Sequence, residues 1–383
     1  MSILLFLVLL STLVVLHELG HFVAARIFGI KAEEFGVGFP PRLIGFVREN
    51  GTWKKVSRTD RRSYKNTIWS LNWLFLGGFV RIKGETEQGA TDADSINAKP
   101  IWQRMVVIVA GVVMNWITGA VLLSVVLMIG TTIVLDGVPV TATITNRSVT
   151  ITDVLVGAPA ARAGFEIGDH VQSIDGLGVA SAEALRDAIR TRGVAEIHFT
   201  IERRNDTKLL VATPEDLKEI GHTGIGVGLA DTGRVSLPFG QALLGGVRMA
   251  WAMTLAIFSA FGHLLNGIVR LQGVPSDISG PVGIAVETGK VAQQGFVAVL
   301  QFAAVLSLNL GVLNVLPIPA LDGGRFFFLL LEKIRRKPLG RNAEIRIHNT
   351  AFALLVLLLV VVTMRDVYRL GSELLGGFMA SRG

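Results

Sequence analysis

Apolar residues are spread unevenly along the chain. From residue 3 to residue 30 they run almost without interruption, and three more long runs follow. Met105–Leu135 is broken by Asn115, Phe296–Leu316 carries Asn309 and Asn314, and Ala351–Met364 lengthens to a full span if Ile345–Thr350 continues the helix. A membrane-crossing helix needs about 20 such residues. The pattern therefore predicts four transmembrane helices, at 1–30, 105–135, 296–318 and 347–370. The Arg248–Phe261 run has only about 13 mostly apolar residues, a length more typical of buried or interfacial helices, so 239–295 is read as amphipathic helices on the outer surface. Between the second and third spans the pattern changes. Residues 137–231 show short alternating runs separated by turn signals: Val171–Ile174 ends at Asp175-Gly176, and Ile197–Arg203 alternates apolar with polar. Ser181 is placed to cap a helix that runs to Arg192 and stops at Gly193. This is a small β-rich domain inserted into a polytopic helical membrane protein.

Composition agrees. Half of the 383 residues are hydrophobic and only 17% are charged, where a soluble protein has roughly a quarter. There is no cysteine, which excludes disulfides and thiolate metal sites. The net charge of +7 is explained by connecting loops and needs no nucleic-acid partner. Residues 31–104 hold 13 Lys/Arg against 8 Asp/Glu, residues 324–349 hold 7 against 2, and residues 136–297 hold 13 against 16. Basic loops face the cytoplasm. Four spans put 31–104 and 319–346 inside, with the β-rich domain and both termini outside. The first run lacks both a preceding basic residue and a small-residue cleavage pattern, so it is expected to be retained as a helix.

Three ionisable residues interrupt the first span: His17, Glu18 and His21. Such residues are costly in hydrocarbon and mark function. His17 and His21 lie four apart, on one face of a helix, where both imidazoles can hold one zinc ion; Glu18 beside them can take a proton from bound water. Zinc needs a third protein ligand. Asp322, in "NVLPIPALDGGR" (314–325), is the candidate. Pro317 and Pro319 break the helix there, and spans one and three both run inward, so the three ligands can meet toward the cytoplasmic side. A metal carrier using the same residues for transit is the alternative reading, but it gives Glu18 no work.

HExxH in the first span, "NVLPIPALDG" in the third, and a PDZ-like insertion ("GAPA…GD…IDG", Gly157–Gly176) together resemble the site-2 protease family. These are M50-type intramembrane zinc metalloproteases, and the nearest type is the RseP-like bacterial one; several of those relatives carry two tandem PDZ domains, and this chain departs from them in having one. The resemblance implies one zinc per chain on His17, His21 and Asp322, with Glu18 as catalytic base. It implies substrate contacts from Asn314, from Asn115 in "GVVMN" (111–115), and from Gly78, Phe79, Val80, Arg81 and Ile82. That last group lies in "GGFVRIKGE" (77–85), the family's membrane-associated β-hairpin region. "SGPVGI" (279–284) matches the segment before the third span. The implied substrate is a single-span membrane protein, pre-cleaved outside by a site-1 protease. An anti-sigma factor is one precedent and a remnant signal peptide another, both at the bacterial inner membrane. From the residues alone, Phe79–Lys83 reads equally well as a self-contained ribbon or as an edge strand, and the asparagines as links between helices. The other five histidines, His348 among them, have no metal-like spacing and receive no role.

Overall fold

The structure, a computed structural model, describes residues 2–58, 60, 62, 64–85, 92–135, 142–203, 206–217, 222–270, 280–337 and 341–380. It forms two compact units, one of residues 1–124 with 243–383, the other of residues 125–242.

The first unit opens with α1 (Ser2–Ile27), as the unbroken apolar run predicts. Strands β1 (Ala32–Glu49), β2 (Thr52–Val56) and β3 (Ile68–Ile82) form an antiparallel sheet in the order β2-β1-β3. The long strands fold over one another, so Gly36 of β1 lies opposite both Phe79 and Ser70 of β3. Glu34, 2% exposed, binds Arg42 through two bonds of 2.9 and 2.6 Å. Burial works to raise the Glu34 pKa, but the Arg42 guanidinium overrides it and holds the carboxyl below its usual range. The sheet exposes Trp73, Leu74, Phe75 and Leu76, an apolar patch that a water-facing sheet would avoid. The chain then enters α2 (Ile101–Ile129).

The second span ends earlier than expected. Gly130 turns the chain with φ 98°, and Thr131–Val134, all β-branched, becomes β4 instead of continuing to 135. The inserted domain accordingly exceeds 137–231. It runs through β5 (Thr143–Val154), α3 (Pro159–Ala163), β6 (His170–Ile174), β7 (Leu177–Gly178), α4 (Ala182–Arg192), β8 (Ile197–Arg203), β9 (Asp206–Ala212), β10 (Glu215–Leu217), β11 (His222–Gly224) and β12 (Val227–Ser236). The main sheet has the order β4-β12-β5-β6-β8-β9. Ile197, Phe199 and Ile201 alternate into its core with Val171, Ile174, Leu185 and Ile189. Ser181 caps α4 through the Ala184 N–H at 3.1 Å. Asp169, 1% exposed, accepts two bonds from Arg203 at 2.6 and 2.7 Å.

The remaining elements are helical: α5 (Phe239–Val269), α6 (Pro281–Gln293), α7 (Phe296–Val315), α8 (Asp322–Arg335) and α9 (Arg341–Ala380). Ser279 of the "SGPVGI" segment lies outside the described residues. α8 occupies most of what was expected to be a loop at 319–346. α5 is longer than the Arg248–Phe261 run that the sequence marks. One side packs Ala250, Met249 and Met253 on α2 and α7, while the other exposes Leu244, Val247, Trp251, Leu255 and Phe258. A helix apolar all round belongs in a core or a membrane. Among the described residues five helices are long and apolar enough to cross a membrane, at Ser2–Ile27, Ile101–Ile129, Phe239–Leu264, Phe296–Val315 and Glu344–Arg369.

α1 and α7 run in the same direction. Ser2 lies against Gly289 of α6, just before α7 begins, and His17 meets Asp322 just after α7 ends. The segments that follow α1 and α7 therefore leave from one end, where Arg325 pairs with Glu85 at 2.8 Å and Arg104 with Glu332 at 3.6 Å.

Candidate metal centre

α1 brings His17 and His21 to one face, and the turn after α7 brings Asp322 to meet them. The Nε2 atoms of the histidines are 3.1 Å apart, and Asp322 Oδ2 lies 2.9 Å from His17 Nε2 and 3.3 Å from His21 Nε2. The three residues form the metal-ligating group found among the described residues. A zinc ion bound at about 2.0–2.1 Å in tetrahedral geometry separates its ligand atoms by about 3.3 Å, so this triangle is close to the required size.

The surroundings fit a metal as well. His21 Nδ1 donates to the Val107 carbonyl at 2.8 Å, which leaves its Nε2 lone pair facing the centre. His17 Nδ1 lies 3.1 Å from Asn115 Nδ2, while Asn115 Oδ1 is buried without a partner. Turning that amide over puts Oδ1 on a His17 Nδ1–H, satisfies the orphaned oxygen and frees His17 Nε2 as a ligand. Gly111 completes the cradle. A Cβ there would lie 2.4 Å from His21 Nε2 and 2.7 Å from His17 Cε1. Gly20 does the same for the backbone: its Cβ would lie 2.3 Å from the Ala110 carbonyl oxygen, so α1 and α2 cross in close contact. The donor set of two imidazoles and one carboxylate suits zinc.

Glu18 is placed beside the triad. Its Oε2 accepts the Val80 N–H at 3.0 Å. It lines two cavities, each with Asp322. One of about 200 Å³ also touches His17, Asn115, Leu310 and Asn314; the other, of about 190 Å³, touches His21, Phe79, Val80 and Ile82. A third of about 630 Å³ is bordered by Glu85, Arg325, Ala320 and His348.

The structure thus brings His17, Asn115 and Asn314 to one cavity and His21 to the other, with Glu18 and Asp322 bordering both. The β3 residues divide. Gly78 packs tightly on Val15 of α1, Arg81 is exposed within 3.6 Å of Glu34, and Ile82 is buried with Ala24, Ile30 and Val107. Asn309 bonds the Val305 carbonyl of its own helix at 3.0 Å rather than a neighbouring one. Two features were not read from sequence: the space made by Gly111, and the contact of His348 with the Asp322 turn. The signal for the second was available, since a histidine in the final apolar run is as unusual as those in the first.

The family model described as Peptidase family M50 matches residues 5–358. The chain belongs to this family. M50 relatives cover nearly its whole length. The "Regulator of sigma-W protease RasP" of Bacillus subtilis is 30% identical, over 95% of this chain and 98% of that protein. The "Putative zinc metalloprotease Atu1380" of Agrobacterium fabrum is 30% identical, over 97% and 96%. The "Putative zinc metalloprotease CPE1693" of Clostridium perfringens is 32% identical, over 93% and 96%. Among solved structures, the PDZ domain of an SdrC-like protein from Listeria monocytogenes is 23% identical, covering 23% of this chain and 92% of that one, with a TM-score of 0.21. As an M50 peptidase the chain is a zinc metalloprotease and a multi-pass membrane protein.

Proposed function

We propose that this M50 peptidase cuts single-span membrane proteins within the bilayer, at one zinc held by His17, His21 and Asp322. The observation that supports this most directly is the convergence of three ligand atoms within 3.3 Å of one another, with the Glu18 carboxylate beside them on an edge of β3. A zinc ion held there would supply Lewis acidity, acidifying a water and polarising a peptide carbonyl. The protein residues do the rest. Glu18 takes the proton of the attacking water and passes it to the leaving amine. Asn115 and the Val107 carbonyl orient the two imidazoles.

The substrate enters as an extended strand. The Gly77–Ile82 stretch of β3 pairs with β1 on one side. On the other, α1 holds its backbone groups: Ser11 Oγ accepts from the Gly77 N–H at 3.0 Å and donates to the Phe75 carbonyl at 2.8 Å, and Glu18 accepts from Val80. An added strand would meet the same Val80 N–H, releasing Glu18 for its role as base. Asn314, across the 200 Å³ cavity, is placed to bond the unwound substrate backbone. The exposed Trp73–Leu76 patch seats this sheet in lipid.

The basic excess of residues 31–104 and 324–349 supports a centre that faces the cytoplasmic side of a bacterial inner membrane. An anti-sigma factor or a remnant signal peptide, already trimmed by a site-1 protease, fits such a site. The test is co-expression of trimmed single-span substrates with wild type, Glu18→Gln and His21→Ala. Cleavage by wild type and loss in both variants is expected, with zinc retained in Glu18→Gln. Continued cleavage by Glu18→Gln would refute the assignment.

A further inference from the structure

Asp322 reaches the centre through an unusual turn. Between α7 and α8 the chain runs Leu316-Pro317-Ile318-Pro319-Ala320-Leu321, and the two prolines have no N–H to offer. Ala320 has φ 78°, in the left-handed region. Asn50, Asn146 and Asp175 also have positive φ, with short polar side chains able to support it locally, and Arg336 has it as the left-handed cap that ends α8. Alanine has no such side chain. The turn is also tightly packed, since a Cβ on Gly323 would lie 2.2 Å from the Leu316 carbonyl oxygen.

The turn has one backbone bond across Ala320, from the Leu321 N–H to the Ile318 carbonyl at 3.1 Å, and a residue from a distant helix adds a second hold. The Ala320 N–H donates to His348 Nδ1 of α9 at 2.8 Å. The imidazole in turn sits edge-on to Phe328 of α8, with ring centroids 5.3 Å apart and planes at 69°. His348 thus packs on α8 through Phe328 while it holds Ala320, two residues before that helix begins.

We propose that His348 is a positioning residue for Asp322: by holding the Ala320 N–H it fixes the left-handed turn that delivers the carboxylate to His17 and His21. This rests on the zinc reading given above. His348 touches neither metal nor substrate, and its effect reaches both through one backbone bond.

The test uses the full chain in detergent, with zinc competed against a chelator and cleavage followed in parallel. His348→Leu removes the acceptor and should weaken zinc retention about tenfold or more, the size seen when a ligand's supporting bond is lost. His348→Asn keeps an acceptor near the Nδ1 position and should stay within about threefold of wild type on that same scale. Ala320→Gly added to His348→Leu should recover most of the loss, because glycine holds positive φ without a Cβ to oppose it. A histidine that only fills space would give no such recovery. Wild-type zinc retention in His348→Leu, equal loss in His348→Asn, or no rescue by Ala320→Gly would each overturn the proposal. Asp322→Ala separates this from failure of the zinc reading: if it binds zinc as wild type does, the site itself is wrong.

Discussion

At the scale of single residues, the centre depends on what is missing as much as on what is present. Gly111 leaves the space that the imidazoles fill, and a methyl there would sit 2.4 Å from His21 Nε2. Gly111→Ala should therefore lower zinc occupancy severalfold in a folded chain, read by metal analysis alongside circular dichroism; full occupancy would remove Gly111 from the cradle. HExxH was legible because its spacing on a helix is fixed and its polarity contradicts the apolar run around it. Gly111 was legible only as part of a motif, since nothing about a glycine says what occupies the space beside it. Asn115 was read as a substrate contact, and the structure places its amide on His17, which no local pattern could show. In the inserted domain, Asp169 offers a pH test. Burial works to raise its pKa, but the Arg203 bonds and the Glu166 N–H hold the carboxyl below its ordinary range. A depressed folded pKa gives stability that is complete above the unfolded value of about 3.9 and is lost as pH falls through the folded one. Asp169→Asn should cost about 3 kcal/mol at pH 7, as for a broken buried pair. Its difference from wild type should shrink in acid below the ordinary aspartate range, measured by hydrogen exchange at β6 and β8. A difference that stays constant down to acid would show that the charge is not what stabilises the domain.

At the scale of elements, helices meet through small residues. Gly246 and Ala250 of α5 lie against Ala120 and Ser124 of α2, and a Cβ on Gly246 would come within 2.1 Å of Ser124 Oγ. Such spacing lets helices approach closely in lipid. The four long apolar runs were legible by length. The end of α2 was not, because Thr131–Val134 is apolar enough for a helix and β-branched enough for a strand, and only pairing with β12 decides. α5 was underestimated because Gly and Arg interrupt its run; the small residues at four-residue spacing were the better signal. The strand β3 supplies a prediction of its own. Val80→Pro removes the N–H that Glu18 accepts, and the donor that an entering strand would use. It should reduce cleavage strongly while zinc occupancy stays near wild type, since no metal ligand is touched. Loss of zinc together with activity would mean that β3 shapes the metal site rather than the substrate path.

At the scale of the whole molecule, the inserted domain holds none of the proposed site residues, and control of access is the role to test. Its connections are short: Gly130 alone separates α2 from β4, and Leu237-Pro238 separate β12 from α5. Two roles compete, exclusion of substrates with bulky outer domains and capture of a trimmed substrate's C-terminus by strand addition. The domain's own groove favours exclusion. β12 pairs with β5 along one edge, and beyond Asp231 its other edge pairs with β4. Over 227–230 that edge faces α4, and there Arg186 Nη2 already donates to the Leu229 carbonyl at 2.5 Å. The Ala182 N–H of α4 is tied to Asp231 Oδ1 at 2.7 Å. The remaining cavity, bordered by Arg186, Arg190 and Ile225, is about 80 Å³. A tail would first have to displace Arg186. Replacing residues 131–236 with a short Gly/Ser linker should therefore let the enzyme cut full-length, untrimmed substrates. If the domain instead captured tails, the deletion would slow cutting of trimmed substrates and leave untrimmed ones intact. Immunoblots of untrimmed substrate with wild type, the deletion, and the deletion carrying Glu18→Gln decide between them. Cleavage confined to the catalytically intact deletion is the expected result. Untrimmed substrate left whole by a stably expressed deletion would end the exclusion reading.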